Sequence, residues 1–225
     1  MQQPRQKPEE KQDDELLAWF LNLWTKIETN YTKILMGFGI GVAVVLVLIF
    51  IDRHQTQRAE AAKEALGDVY IALFEGRVSD AIATSQEVMA NYEGEAAARE
   101  ALMAVANLHF EEGRILDART HFQKYLDENS PDGPLGYGAW SGLAACLESE
   151  GKFAEAAQQF ASFVDKKPES PFAPVALKEA GRCYELAQMQ QQATDIYLKI
   201  VNQYSKSSVA RTATGQLSFM GVEVD

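Results

Sequence analysis

Three histidines and two cysteines are the side chains in this 225-residue chain best suited to hold a metal or form a covalent bond, and their spacing serves neither purpose. His54, His109 and His121 share no metal-ligand spacing with one another or with Cys146 and Cys183. Two cysteines are too few for a disulfide scaffold and do not report the compartment. No Ser, His and Asp arrangement, phosphate-binding loop or paired-carboxylate cleft stands out from the many acidic residues. Gly37 to Gly41, GFGIG, resembles a glycine loop only superficially, because it lies inside a long apolar run and not between a strand and a helix. Catalytic, metal and cofactor sites are therefore not expected, and the chain is read as a non-enzyme. The net charge of -11 and the lack of a basic stripe exclude nucleic acid as the expected partner.

The elements that position these residues repeat. From Gln55 onward the chain is rich in Ala, Glu and Gln, with apolar residues three and four apart and no alternating strand pattern, so an all-α domain is expected. Gly76, Gly113, Gly151 and Gln188 align, each followed five residues later by Ala81, Ala118, Ala156 and Ala193, and four residues further by Ser85, Phe122, Phe160 and Tyr197. The period is 37 or 38 residues, room for two helices of about four turns and a tight reversal. The glycine allows the reversal at φ > 0, the alanine lets the helices approach, and the large residue fills the space beside it. Cys146 and Cys183 fall one period apart. Equivalent positions on stacked helices lie roughly 8 to 10 Å apart, beyond the ~7 Å reach of a bridge, which predicts two free, buried thiols. His109 replaces a first-helix aromatic, a packing position.

The clearest copy is AWSGLAACLESEGKFAEAAQQFASFVDKKP, with Trp140, Leu143, Ala144, Gly151, Phe153, Ala156, Phe160 and Pro168. These residues resemble the tetratricopeptide repeat, departing from its pattern at Ala144 for Gly and Leu147 for Tyr. A second copy keeps Ala106, Gly113, Ala118 and Phe122, a fourth keeps Gly181, Tyr184, Ala193 and Tyr197, and the first keeps Gly76 and Ala81 only. A weak first copy suits a solenoid end, and SVARTATGQLSFM is expected to form a helix covering the other end. The repeats are expected over residues 61–205, with proline-rich breaks at Pro131, Pro134, Pro168, Pro171 and Pro174 between units.

Before the repeats, Ile34 to Ile51 holds eighteen residues without a charge or side-chain polar group. At ~1.5 Å per residue it covers roughly 27 Å and reads as one transmembrane helix, 34–51. A buried core helix would show a polar stripe, and a cleaved signal peptide would not carry thirty-three residues ahead of its apolar core. Residues 1–15 are polar and expected to be disordered. Residues 16–33 place Leu16, Phe20, Leu23, Ile27 and Tyr31 at helical spacing with Trp19 and Trp24 nearby, which predicts a juxtamembrane amphipathic helix along the membrane surface before the chain turns into the bilayer, or a partner-binding helix. Gly37 and Gly41 make one smooth face on the span, where a second membrane helix, including that of a second copy, could pack. Nearby positive charge leaves the orientation undecided. With no helix breaker between Gly41 and Phe74, the span is expected to continue into the first repeat.

The repeat domain, 52–225, would line an inner groove with its first helices. The positions assigned to it are Leu66, Tyr70, Leu73 and Phe74, then Met103, Asn107 and Phe110, then Lys178, Arg182 and Glu185, apolar at one end and charged at the other. These are the candidate protein-binding residues, for an extended or unfolded polypeptide or a folded partner. The Lys and Asn set with which some repeats clamp a peptide carboxylate is not reproduced. The expected architecture is one N-terminal transmembrane helix followed by an α-solenoid of about four helical hairpins. It resembles the bacterial membrane-anchored tetratricopeptide family that includes the ancillary subunit of the SecYEG translocon. That resemblance implies a single-pass inner-membrane protein with a periplasmic repeat domain, passing polypeptides from translocon to chaperones. The alternative is a scaffold for envelope assembly or division, like outer-membrane assembly and Tol-Pal coordinator repeat proteins. A regulatory module of an enzyme stands third.

Overall fold

Four hairpin turns in this chain are built from the same backbone bonds. In the first, the Gly76 N–H donates to the Leu73 carbonyl at 3.0 Å and the Arg77 N–H to the Ala72 carbonyl at 2.8 Å. Gly113 with Arg114, Gly151 with Lys152 and Gln188 with Met189 repeat both bonds one period on. These are Schellman closures, which satisfy the last carbonyls of a helix and require a left-handed residue. The three glycines have φ of 72°, 75° and 74°, and Gln188 adopts 60° with a β-carbon.

The computed structural model describes residues 8–129 and 132–223. Among them the chain is all-helical: α1 (Pro8–Phe74), α2 (Val78–Asn91), α3 (Ala96–Glu111), α4 (Ile115–Glu128), α5 (Gly133–Ser149), α6 (Phe153–Lys166), α7 (Ala173–Leu186), α8 (Gln190–Gln203) and α9 (Ala210–Phe219). The chain divides into two units, Met1–Gln57 and Arg58–Asp225.

In the first unit, α1 is unbroken. The hydroxyls of Thr25 and Thr29 donate to the carbonyls of Leu21 and Thr25 at 2.6 Å, and Asn30 Nδ2 donates to the Lys26 carbonyl at 3.1 Å. No turn separates residues 16–33 from the apolar run, contrary to the expected bend, because nothing in ETNYTK breaks a helix and these polar side chains satisfy themselves on its carbonyls. The helix also begins earlier than expected. Pro8 opens it, within the stretch expected to be disordered. The remainder of that expectation, residues 1–7, lies outside the described residues. From residue 35 to 51 the large apolar side chains are all exposed, and the helix over Leu35–Phe74 is long and apolar enough to cross a membrane.

The second unit begins at Arg58, six residues beyond the expected boundary. Residues 52–57 are exposed, whereas the Arg58 guanidinium reaches the carbonyls of Asn91 and Glu93 at 3.3 and 3.4 Å and the Glu95 carboxylate at 3.5 Å. From there helices pack in pairs as a solenoid, each against its neighbours in the chain. The second helix of every hairpin has 14 residues and buries the same three positions. They are Ala81, Ser85 and Val88; Ala118, Phe122 and Tyr125; Ala156, Phe160 and Phe163; Ala193, Tyr197 and Ile200. Spacing of i, i+4 and i+7 makes one buried stripe per helix, apolar throughout except at Ser85, and each large apolar side chain buried there contributes about 1.5–3 kcal/mol. The alanine is fully enclosed in all four, leaving room for the first helix.

Small residues on the first helices receive the large ones. A β-carbon at Gly142 of α5 would stand 2.4 Å from the Phe122 ring of α4, and one at Gly181 of α7 would stand 2.6 Å from the Tyr197 ring of α8. Trp140, Phe163, Tyr137 and Phe172 stack edge and face across α5, α6 and the start of α7. At the C-terminal end, Ala213 and Leu217 of α9 close the core, as expected for a capping helix.

Candidate protein-binding groove

The first helices of the hairpins are the end of α1, α3, α5 and α7, and between them run two depressions of about 460 and 420 Å³. Met103 and Asn107 line both, so the two depressions adjoin along α3. One end is made by Tyr70 and Leu73 of α1, Leu108 of α3 and Leu135 of α5. The middle is made by Phe110, Tyr137 and the small face of α5, Gly138, Ser141, Gly142 and Ala145.

Five of the ten positions assigned from sequence meet here: Tyr70, Leu73, Met103, Asn107 and Phe110. Leu66 does not. It is buried in the core formed by α1, α2 and α3, because its helix face turns toward Val69 and Ala62. Phe74 stands 94% exposed at the last residue of α1, outside the lining of both depressions. Lys178, Arg182 and Glu185 lie on α7 at the far end, all half-buried; Lys178 and Arg182 form ion pairs, whereas Glu185 forms none among the described residues and its Oε1 is buried without a hydrogen-bond partner. Gly37 and Gly41 are in the first unit, with open space where a β-carbon would be.

Sequence reasoning missed the third unit's share. Adding one period to Met103, Asn107 and Phe110 gives Ser141, Ala145 and Glu148, and all three line the groove. It also missed the carboxylates of Glu100, Glu111 and Glu179, so acidic groups stand at the apolar end as well as the charged one. Among the described residues, no lysine or arginine lines either depression.

At the far end the lining carboxylates Glu148 and Glu179 are compensated. Arg182 bonds both oxygens of Glu148 on α5 at 2.8 Å and, through Nε, Glu179 on its own helix at 2.8 Å. Lys178 Nζ pairs with Glu179 at 2.8 Å. Burial alone would push the Glu179 carboxyl up, but the bonds from Lys178 and Arg182 outweigh it and hold the group below its ordinary range. Burial would likewise lower Arg182, and its bonds to Glu179 and Glu148 reverse that. At the other end burial and the neighbouring Glu100 carboxylate push the Tyr70 phenol up. Burial and Glu179 push Tyr137 up to about 12, so both remain neutral donors.

The residues suited to covalent or metal chemistry have become packing. Cys146 and Cys183 are free and buried, as their spacing predicts. Burial, with Glu148 nearby, pushes the Cys183 thiol up to about 12. His109 is 3% exposed on α3, with its ring centroid 5.1 Å from that of His121 on α4, whose Nδ1 donates to the Asp117 carbonyl at 2.7 Å. Burial first, then the charge of Arg114, lowers the His109 imidazole below its usual value. Among the described residues no three His, Cys, Asp or Glu side chains converge as a metal would need. A larger depression, about 710 Å³, lies between α2, α3 and α4, but Arg99 and Lys124 there answer Glu93 and Glu128, which leaves it no field of one sign.

Tetratricopeptide-repeat models match residues 65–134 and 103–174, and a further one matches 177–207. Among solved structures, a tetratricopeptide repeat protein from Parabacteroides merdae ATCC 43184 is similar at 17% identity and a TM-score of 0.54, over 68% of this chain and 57% of that one. The nearly identical TPR-like repeats of Podosopora anserina are similar at 14% identity and a TM-score of 0.52, over 65% of this chain and 76% of that one. At these identities the likeness is one of fold. No curated protein matches the chain in sequence. The matched segments cover more than half of the 225 residues and coincide with the hairpins described above, and the chain belongs to the tetratricopeptide-repeat family.

Proposed function

We propose that the protein is a membrane-anchored adaptor whose repeat unit holds a segment of another polypeptide in the groove between α1, α3, α5 and α7. The observation that carries this reading is the groove itself. Tyr70, Leu73 and Phe110 present apolar surface beside Asn107, whose exposed amide can both donate to and accept from a backbone. The apolar helix over Leu35–Phe74 supports the anchor, with lipid around its exposed face. Gly37 and Gly41 leave that face open to a second copy, so a homodimer through the span belongs to the same reading.

The finer role is that of an ancillary translocon component in the bacterial inner membrane, with the repeat unit in the periplasm receiving secreted chains alongside chaperones. It rests on the order of tail, apolar helix and acidic repeats. Photocrosslinking from position 107 in cells tests it. Translocon subunits and newly secreted chains are the expected products, and a fixed set of envelope proteins would favour the scaffold reading instead. Cysteine accessibility on α2 reports the side, since a cytoplasmic repeat unit would overturn both.

A further inference from the structure

The charge in the groove is uneven. Glu148 and Glu179, the two carboxylates that line the far depression, are matched by Arg182 and Lys178. Glu100 and Glu111 stand one on each side of Met103 and Asn107, and among the described residues neither forms an ion pair. They face the same depression as Tyr70, Leu73, Leu108 and Leu135. Two carboxylates without a neighbouring cation, set beside apolar walls, give this end of the groove a negative potential.

We propose that this end of the groove selects a cationic, apolar segment of its partner, with lysine or arginine side chains set between Glu100 and Glu111 and apolar neighbours seated on Leu73 and Leu135. The proposal rests on the reading of the groove as a polypeptide site and adds the chemistry of the polypeptide. Three features make the complement. The apolar walls provide burial for leucine-sized side chains. The carboxylates accept charge-assisted bonds from an ammonium or guanidinium. Asn107 offers its amide to the backbone that carries them. An acidic segment meets like charges at the same positions and is rejected, so discrimination comes from repulsion as well as attraction. The small side chains of Ser141 and Ala145 on α5 then leave room for the continuing chain to lie close to the helix.

The test uses the full chain in phosphatidylcholine nanodiscs and three fluorescent peptides of about fourteen residues. The peptides are identical in their leucines and differ only in carrying lysine, glutamine or glutamate between them, and signal from empty nanodiscs is subtracted. The lysine peptide is expected to bind about tenfold tighter than the glutamine peptide, and the difference is expected to close at about 0.5 M salt. The glutamate peptide is expected to bind weakest. The double variant Glu100→Gln and Glu111→Gln is expected to lose the preference and keep its hold on the glutamine peptide within about twofold. Equal affinity for all three, or an unchanged preference in the double variant, overturns the charge selection and leaves the groove intact as a polypeptide site. Binding of none of the three overturns the groove reading beneath it.

Discussion

Gly181 of α7 lies against the aromatic ring of Tyr197 on α8, so closely that a single added carbon would stand 2.6 Å from two ring atoms. Tyr197 is 1% exposed and sits in the stripe that joins its hairpin to α9. It has no free direction in which to retreat. Gly181→Ala should therefore cost about 1–3 kcal/mol, the range for overpacking a filled core. In thermal melts of the full chain in detergent micelles, the variant should unfold several degrees below the parent. Adding Tyr197→Leu should recover part of that loss, since the two changes share one contact. If Gly181→Ala melts with the parent, the close packing of α7 on α8 described here is wrong.

Gln188 invites the opposite experiment. It holds φ of 60° at the position where the other three hairpins have glycine, and a β-carbon in that region costs roughly 1 kcal/mol. Gln188→Gly should stabilise the last hairpin by about that amount. Gly151→Ala, at φ of 74°, should destabilise the third by a similar amount. Urea midpoints of the two variants moving in the same direction would contradict the shared turn geometry.

Arg182 ties α5 to α7 through Glu148 while also serving Glu179. Glu179 has a folded pKa below its unfolded value. The stability it contributes is therefore present above the ordinary glutamate range and is lost as pH falls through the lower folded value. Arg182→Gln should weaken the fold at pH 7, and the loss of stability on acidification from pH 5 to pH 3 should be smaller than in the parent. Urea unfolding at those pH values measures both effects.

His109 gives a second acid response at higher pH. Its folded pKa is lowered by burial and by the Arg114 and His121 charges, against the raising influence of Asp117 and Glu112. The folded state thus binds the proton less well than the unfolded state. The associated stability is present above the unfolded value of about 6.5 and is lost as pH drops through the folded one. His109→Phe should flatten this limb, and NMR titration of the His109 ring should show a midpoint below 6.5. A midpoint at or above that value would refute the assignment.

What could be read from the sequence was whatever the period carries. Gly76, Gly113, Gly151 and Gln188 share one turn, and Ala81, Ala118, Ala156 and Ala193 share one buried place, because each is decided by contacts within a hairpin. The groove is decided by how hairpins stack, and there the same register goes further than it was taken. Ser141, Ala145 and Glu148 follow from Met103, Asn107 and Phe110 by one period. Leu66 shows the limit. It occupies the position equivalent to Met103, and both side chains are in the core, 6% and 5% exposed, but only Met103 also borders the groove. The His109 and His121 rings meet across the Gly113 turn, a proximity that ligand-spacing rules do not anticipate because the two residues sit on different helices.

The two sulfur atoms have a use that depends on their doing nothing in the folded state. Cys146 and Cys183 are enclosed on successive first helices, and burial holds each thiol in its unreactive, protonated form. A thiol reagent added to the intact protein should therefore find almost no target, and reaction at either site would time the moment its own helix comes away from the stack. Two native probes, one per hairpin, thereby make the chain its own recorder of the order in which the solenoid opens.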